Sequence, residues 1–341
     1  MLRGNTGNTN IQVGRLGLMK NIHIKEIDVY HPETSVKNDV YIEHFKKRGR
    51  DITHFLEVMG KRERYVIQNN EENTLTMAIE VSKRVLKKAG LTGQDIDYIV
   101  YSSQIPEYTA PINALVIHDA IGAHPKAMSI DTNANCSGMT MAIEQATRYM
   151  MSNQNVQRAL IVGSDHLTLL ANPEQEITYA TYGDAACAVI LEKTTEDTGF
   201  INSQYNVYTK NIDKIHYPLN GLSKATSKYI HFQLFDASFG PETAITLIRE
   251  VAEQSNIRLE DINAFCFSQF AYGDKLKIQE GLNLDEEKVI YIGDRYGYTG
   301  TSSPFVAMYE GIQSGKIKRG DYVMFWTVGA GHQFIAMLFK Y

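Results

Sequence analysis

The sequence repeats itself at long range. Residues 73–89 place Leu75, Ala78, Ile79, Val81, Val85 and Leu86 at helical spacing, and Gly90 ends the run. Asp95-Ile96-Asp97-Tyr98-Ile99-Val100-Tyr101-Ser102-Ser103 then reads as a buried strand. The same succession returns 166 residues later (261 − 95). Ala244, Leu247, Ile248, Val251 and Ala252 mark a helix over 243–255, and Asp261-Ile262-Asn263-Ala264-Phe265-Cys266-Phe267-Ser268-Gln269 follows as a strand. Further units correspond in order. A strand over 127–131, a loop, a helix over 139–151 and a strand over 158–163 match a strand over 289–293, a loop, a helix over 304–314 and a strand over 321–328. Finally, Tyr182-Gly183-Asp184-Ala185-Ala186-Cys187 echoes Gly329-Ala330-Gly331-His332-Gln333-Phe334, each a glycine turn running into an apolar strand.

Strands alternating with helices imply mainly parallel sheets covered by helices. Two copies of such a unit, each with one helix between two sheets, predict an α/β fold of five layers, α/β/α/β/α, with halves over 19–195 and 196–341. The chain of 341 residues is long enough for two such halves. The leader 1–18 is polar and rich in Gly and Asn, lacks the apolar run of a signal peptide, and is expected to lie outside the fold as a disordered leader or remnant.

Charge narrows the partners. With 34 basic and 39 acidic residues the net charge is −5, and no Lys/Arg block offers a footprint for nucleic acid or for an anionic membrane. No apolar stretch is long enough to span a bilayer. Three cysteines suit a reducing, cytoplasmic setting. No Cys/His cluster has metal-ligand spacing, and no Gly-x-Gly-x-x-Gly turn follows the first strand, so neither a metal nor a nicotinamide cofactor is expected.

Of the cysteines, Cys187 and Cys266 sit inside apolar strand runs and read as core residues. Cys136 is different. It lies in Asn133-Ala134-Asn135-Cys136-Ser137-Gly138, just before the helix of the first repeat, where exposed amides favour negative charge. A thiol there is expected to have a lowered pKa and to act as a nucleophile; as a small buried hydrophobe it would do neither.

Six segments then occur in a telling order: Gly60-Lys61-Arg62-Glu63-Arg64, Asn135-Cys136-Ser137-Gly138, Val162-Gly163-Ser164-Asp165, Tyr182-Gly183-Asp184-Ala185-Ala186, Gly297-Tyr298-Thr299 and Gly329-Ala330-Gly331. Together they resemble β-ketoacyl-acyl-carrier-protein synthase III, a family of the thiolase-like superfamily, over essentially all of residues 19–341. The resemblance implies an intertwined homodimer, an acyl thioester of coenzyme A or acyl carrier protein as substrate, no resident cofactor, and a ping-pong reaction through an acyl-cysteine. It places the nucleophile at Cys136 and an oxyanion hole at the backbone amides of Cys136 and Ala330.

The departures matter as much. Where the family carries the histidine and asparagine that polarise a malonyl thioester for decarboxylation, this chain has Ser268 and Tyr298. A hydroxyl does not titrate near neutrality and cannot replace imidazole in acid–base work. His332, directly after Gly329-Ala330-Gly331, is the histidine whose motif position comes near the site; a structural place on a strand is the alternative. His166, His216 and His231 read as surface or structural. The tryptophan and arginine that the family uses to clamp adenine correspond to about His54 and Val58, while the single tryptophan, Trp326, falls in a core strand. Lys275, Lys277 and Arg249 form either a surface for the acidic helix of a carrier protein or a solvated face. The segment 205–239, rich in Tyr, Lys, Asn and Ser, stands where the family carries tunnel and lid elements.

Three readings stay open. The chain is an acyltransferase that captures an acyl group on Cys136 and passes it to an acceptor without efficient decarboxylation, or a decarboxylative condensing enzyme of fatty acid or polyketide synthesis with a non-standard triad, or a non-catalytic partner subunit of an active homologue. The retained Cys136 weighs against the last and the two lost residues against the second, so the first ranks highest.

Overall fold

The computed structural model describes residues 21–341; the leader 1–18 lies outside them. The first sheet is built from β1 (Asn21–Tyr30), β2 (Tyr98–Ser102), β3 (Met128–Thr132), β4 (Arg158–His166) and β5 (Asp184–Thr194), in the order β1-β5-β4-β2-β3. The second is built from β6 (Gly199–Val207), β7 (Ala264–Phe267), β8 (Tyr322–Gly329) and β9 (Gln333–Lys340), in the order β6-β9-β8-β7. Strand directions match as well: β2 and β4 run parallel, as do β7 and β8, while β5 and β9 are antiparallel to both of their neighbours. Each sheet is therefore the other's topological copy.

One strand is missing from the second copy. The segment expected as a strand over 289–293 contributes only a single parallel bridge, Val289 to Phe265, at the place that β3 occupies in the first sheet. It turns at once into the short helix Gly293–Tyr296, because the Ile292 and Gly293 amides donate to the side-chain oxygen of Gln269 rather than to a neighbouring strand.

Five helices complete the layers: α1 (Thr74–Ala89), α2 (Gly138–Ser152), α3 (Phe239–Gln254), α4 (Tyr272–Leu282) and α5 (Ser303–Gln313). Gly90 stops α1 in the left-handed region, at φ +68°, as its position predicts. The strands are buried on both faces. On β5, Cys187, Val189 and Leu191 point to the central layer while Ala186, Ala188 and Ile190 point to α1. On β8, Val323 and Phe325 point inward while Met324 and Trp326 meet α3 and α4. Such two-faced burial explains why these strands read as continuous apolar runs instead of alternating ones. Between the sheets lie α2 and α5, whose Met139, Ile143, Met150, Phe305 and Met308 share one core with both sheets. Cys187 and Cys266 are fully buried in it. This is the expected α/β/α/β/α arrangement of two duplicated halves. Among the described residues no helix is long and apolar enough to cross a membrane.

Each central helix is entered through a single 3-10 turn, Asn135–Ser137 before α2 and Gly300–Ser302 before α5. The helices start 165 residues apart (303 − 138), so Cys136 is the counterpart of Thr301 and Tyr298 that of Asn133. The two junctions touch. Thr301 Oγ1 accepts the Met139 amide at 2.7 Å, so the second half caps the first half's central helix, to which Ser137 gives no side-chain cap. Asp165, fully buried at the end of β4, accepts from Ser103 Oγ, the Gln104 amide, Gln104 Nε2 and the Thr301 amide at 2.8–3.0 Å. Replacing Thr301 by valine keeps the shape and orphans the buried Met139 amide. T301V should lose about 1–3 kcal/mol of unfolding free energy, and T301S should recover most of it, as measured by chemical denaturation.

Candidate active site

Cys136 sits on the 3-10 turn between β3 and α2, directly after Asn135, which is held at φ +52°. Two close approaches fix this turn. A Cβ on Gly138 would come within 2.4 Å of Ser102 Oγ, and one on Gly329 within 2.5 Å of the Ala134 carbonyl. Only glycine lets the end of β8 press on the nucleophile loop, and Thr327 Oγ1 secures the contact by donating to the Cys136 carbonyl at 3.2 Å. Ala330 is thereby brought to the thiol, and Asn135 Nδ2 donates to its carbonyl at 3.4 Å.

The thiol opens into a cavity of about 290 Å³. All five residues singled out in the sequence, Cys136, Ser268, Tyr298, Ala330 and His332, line it. Ser268 is held by its amide on the Trp326 carbonyl at 2.8 Å. Tyr298 is buried, with its amide donating to Thr181 O at 2.8 Å and its carbonyl accepting from Gly183 at 2.9 Å, so the Tyr182-Gly183 turn and the Gly297-Tyr298-Thr299 turn brace each other. The phenol of Tyr298 and the hydroxyl of Ser268 line the same cavity as the Cys136 thiol. The thiol donates to Gln104 Oε1 at 3.8 Å, and the Gln104 amide is oriented by its bond to Asp165. A chain therefore runs Cys136–Gln104–Asp165. Sequence reasoning missed Gln104 and the role of Asp165; the Gly-Ser-Asp motif was a signal for the second, whereas Gln104 carries none.

His332 lines the cavity but is not joined to this chain. It belongs to the turn before β9, at φ +62°, with its ring against Phe235 (4.9 Å) and Phe239 (5.1 Å) and its Nδ1 without a partner. Burial pushes its pKa down, so the imidazole is neutral. His166 lies against Asp184 at 3.8 Å, and His216 and His231 pair in a small ribbon, all away from the thiol. The segment 205–239 forms one wall of the cavity through Ile215, Ile230, Phe232 and Phe235. His54 and Val58, on the exposed helix Thr53–Val58, do not line the cavity. Of the basic trio, Lys275 is buried with its ammonium over the Tyr272 ring, while Arg249, which donates to the Gly281 carbonyl, and Lys277 are exposed.

One expectation is overturned. Burial pushes the Cys136 thiol up to about 11, the nearby Asp165 adds to the rise, and Tyr298 opposes it. The helix start does not rescue the thiolate because its amides are already used: Ser137 donates to Ala134 O and Met139 to Thr301 Oγ1. Less than about one thiol in a thousand is then ionised at pH 7. The rate of alkylation of Cys136 by iodoacetamide should climb at least tenfold from pH 7 to pH 9 without levelling off, followed by intact mass; a plateau below pH 8 would contradict the burial argument.

Comparison with known proteins agrees with this geometry. A family model for the 3-oxoacyl-[acyl-carrier-protein] synthase III family matches residues 130–209, and one for the C-terminal part of that family matches residues 252–341. A β-ketoacyl-[acyl-carrier-protein] synthase III of Clostridium perfringens is 29% identical over 332 residues, covering 94% of this chain and all of that protein. The crystal structure of 3-oxoacyl-[acyl-carrier-protein] synthase III from Aquifex aeolicus superposes with a TM-score of 0.84 at 23% identity, over 94% of this chain and all of the other. The priming β-ketosynthase of the R1128 polyketide pathway superposes with a TM-score of 0.84 at 18% identity, over 94% and 96% of the two chains. The structural likenesses speak for the fold, and the matches in sequence for the family: with its duplicated thiolase-like architecture, this chain belongs to the 3-oxoacyl-acyl-carrier-protein synthase III family of condensing enzymes.

Proposed function

We propose that this protein is an acyltransferase that takes an acyl group from a coenzyme A or carrier-protein thioester onto Cys136 and passes it to an acceptor without efficient decarboxylation. The observation that carries the reading is the grouping of Ser268, Tyr298 and Cys136 in one cavity: the two groups in the family's decarboxylation positions are hydroxyls, with no imidazole among them.

The first step forms the bond from Cys136 Sγ to the acyl carbon and breaks the donor's carbon–sulfur bond; the thiol proton leaves with the donor's sulfur. The attacking form is the thiolate, so the thiol proton leaves Sγ as the bond to the acyl carbon forms, and the raised pKa of Cys136 keeps this step slow near neutrality. Tyr298 steadies the sulfur as its charge develops, and the amides of Cys136 and Ala330 receive the carbonyl oxygen. In the second step the acceptor attacks the acyl carbon, and its proton returns to Cys136 Sγ. Decarboxylation is a different task, since the enolate left behind needs donors aimed at its oxygen. Each lost donor is worth about 2.7–4 kcal/mol, so losing two slows that step by roughly four orders of magnitude or more.

Intact-mass analysis after exposure to a panel of acyl thioesters should show one adduct that Cys136→Ala abolishes and that Cys187→Ala and Cys266→Ala retain. Acyl-loaded protein should release little labelled carbon dioxide from malonyl carrier protein while still losing its acyl group to a suitable nucleophile. Release at rates ordinary for enzymes would favour the condensing reading, and a Cys136 that no donor acylates would favour the non-catalytic one.

We also propose a homodimer formed along β3. It is the outermost strand of its sheet and exposes Met128 (38%) and Ile130 (37%), a combination that an isolated edge avoids. Ile130→Lys should shift the protein toward monomer in light scattering; an unchanged mass would place the interface elsewhere.

A further inference from the structure

The cavity has an unusual charge balance. Among the described residues no lysine or arginine lines it, and Asp274, on the first turn of α4, is the one lining residue with an ordinarily charged side chain. Asp274 makes no hydrogen bond or ion pair among the described residues, and burial pushes its carboxyl above the usual range. Lys277, one turn further along α4, tempers that shift from the exposed face, and Asp236 lies near the same lysine. The remaining wall is rich in aromatic rings: Phe232, Phe235, Phe239, Phe270, Trp326 and Phe334.

These features select among acceptors. A partly buried carboxylate without a partner is costly and is relieved by a cation. Aromatic faces attract the same kind of group, because the ring quadrupole is negative above its plane. An acceptor bearing a carboxylate or phosphate would meet Asp274 with like charge, and a purely apolar one would leave it unpaired. We propose that the acceptor carries a positively charged amine, bound in this cavity by Asp274 and the aromatic wall. The inference names the acceptor's chemical class and rests on the reading of Cys136 as an acyl-transfer site.

Trp326 supplies the probe, as the single tryptophan of the chain and part of the cavity lining. Its fluorescence is titrated with benzylamine, benzyl alcohol and benzoate, three ligands of one size that carry a positive, no and a negative charge at pH 7. Wild-type protein should bind benzylamine at least tenfold more tightly than benzyl alcohol and benzoate most weakly; Asp274→Asn should bring the amine and the alcohol within about twofold of each other. Equal affinity for amine and alcohol in the wild type, or undiminished discrimination in D274N, would overturn the proposal, and the wild-type comparison stands even if the variant does not fold. Acylation of wild-type Cys136 is scored separately by intact mass. A cation preference without acylation would leave the binding site standing and remove the acyltransferase reading, whereas acylation without the preference would remove only the inference about the acceptor.

Discussion

The buried carboxylate of Asp165 is the contact on which the site depends. It lies at the end of β4, where the chain would otherwise bring loops from both halves together with unpaired amides. Each of its oxygens takes two donors: Ser103 Oγ and the Gln104 amide on one, Gln104 Nε2 and the Thr301 amide on the other. Gln104 then faces the thiol, and Thr301 then caps the helix that follows it. Burial raises this carboxyl to about 6, opposed by the same donors, so at neutral pH it remains ionised and keeps all of them. A single side chain thus couples the register of the two halves to the placement of Cys136.

The second organising fact is the burial around the thiol. The thiol donates to Gln104, Tyr298 and Ser268 line the same cavity, and burial holds the thiol's pKa above its ordinary value. Thiols attack thioesters as thiolates, so the burial that raises the Cys136 pKa limits the fraction ready to react near neutral pH. His332 shows why position in a motif is weaker than position in space: three residues past Gly329 it lines the cavity, yet its ring packs on phenylalanines and is not joined to the sulfur.

Much of the architecture was legible in the one-dimensional pattern. The recurrence of Asp-Ile-Asp/Asn before an apolar strand, followed by glycine turns at matching intervals, foretold two sheets of equal strand order. The second β3 equivalent was overcalled because Val289-Ile290-Tyr291-Ile292 has strand composition, whereas the amides at its end, Ile292 and Gly293, are claimed by Gln269. The five residues named from motif positions do meet in one cavity, because motifs at strand ends and helix starts are carried to the same edge of the fold by the layer topology.

What the sequence determined alone was the set of elements, their duplication, and the chemical identity of the groups at the site: a thiol at a helix start, and hydroxyls where an imidazole and an amide are expected. Those follow from local periodicity and residue type. What only the tertiary structure decided was how these groups behave. The thiol's pKa, the meeting of Tyr298, Cys136 and Ser268 in one cavity, the burial of Lys275 and the unpaired charge of Asp274 all depend on which segments, more than a hundred residues apart in several cases, pack together. Desolvation is set by three-dimensional neighbours, and no window of sequence contains them.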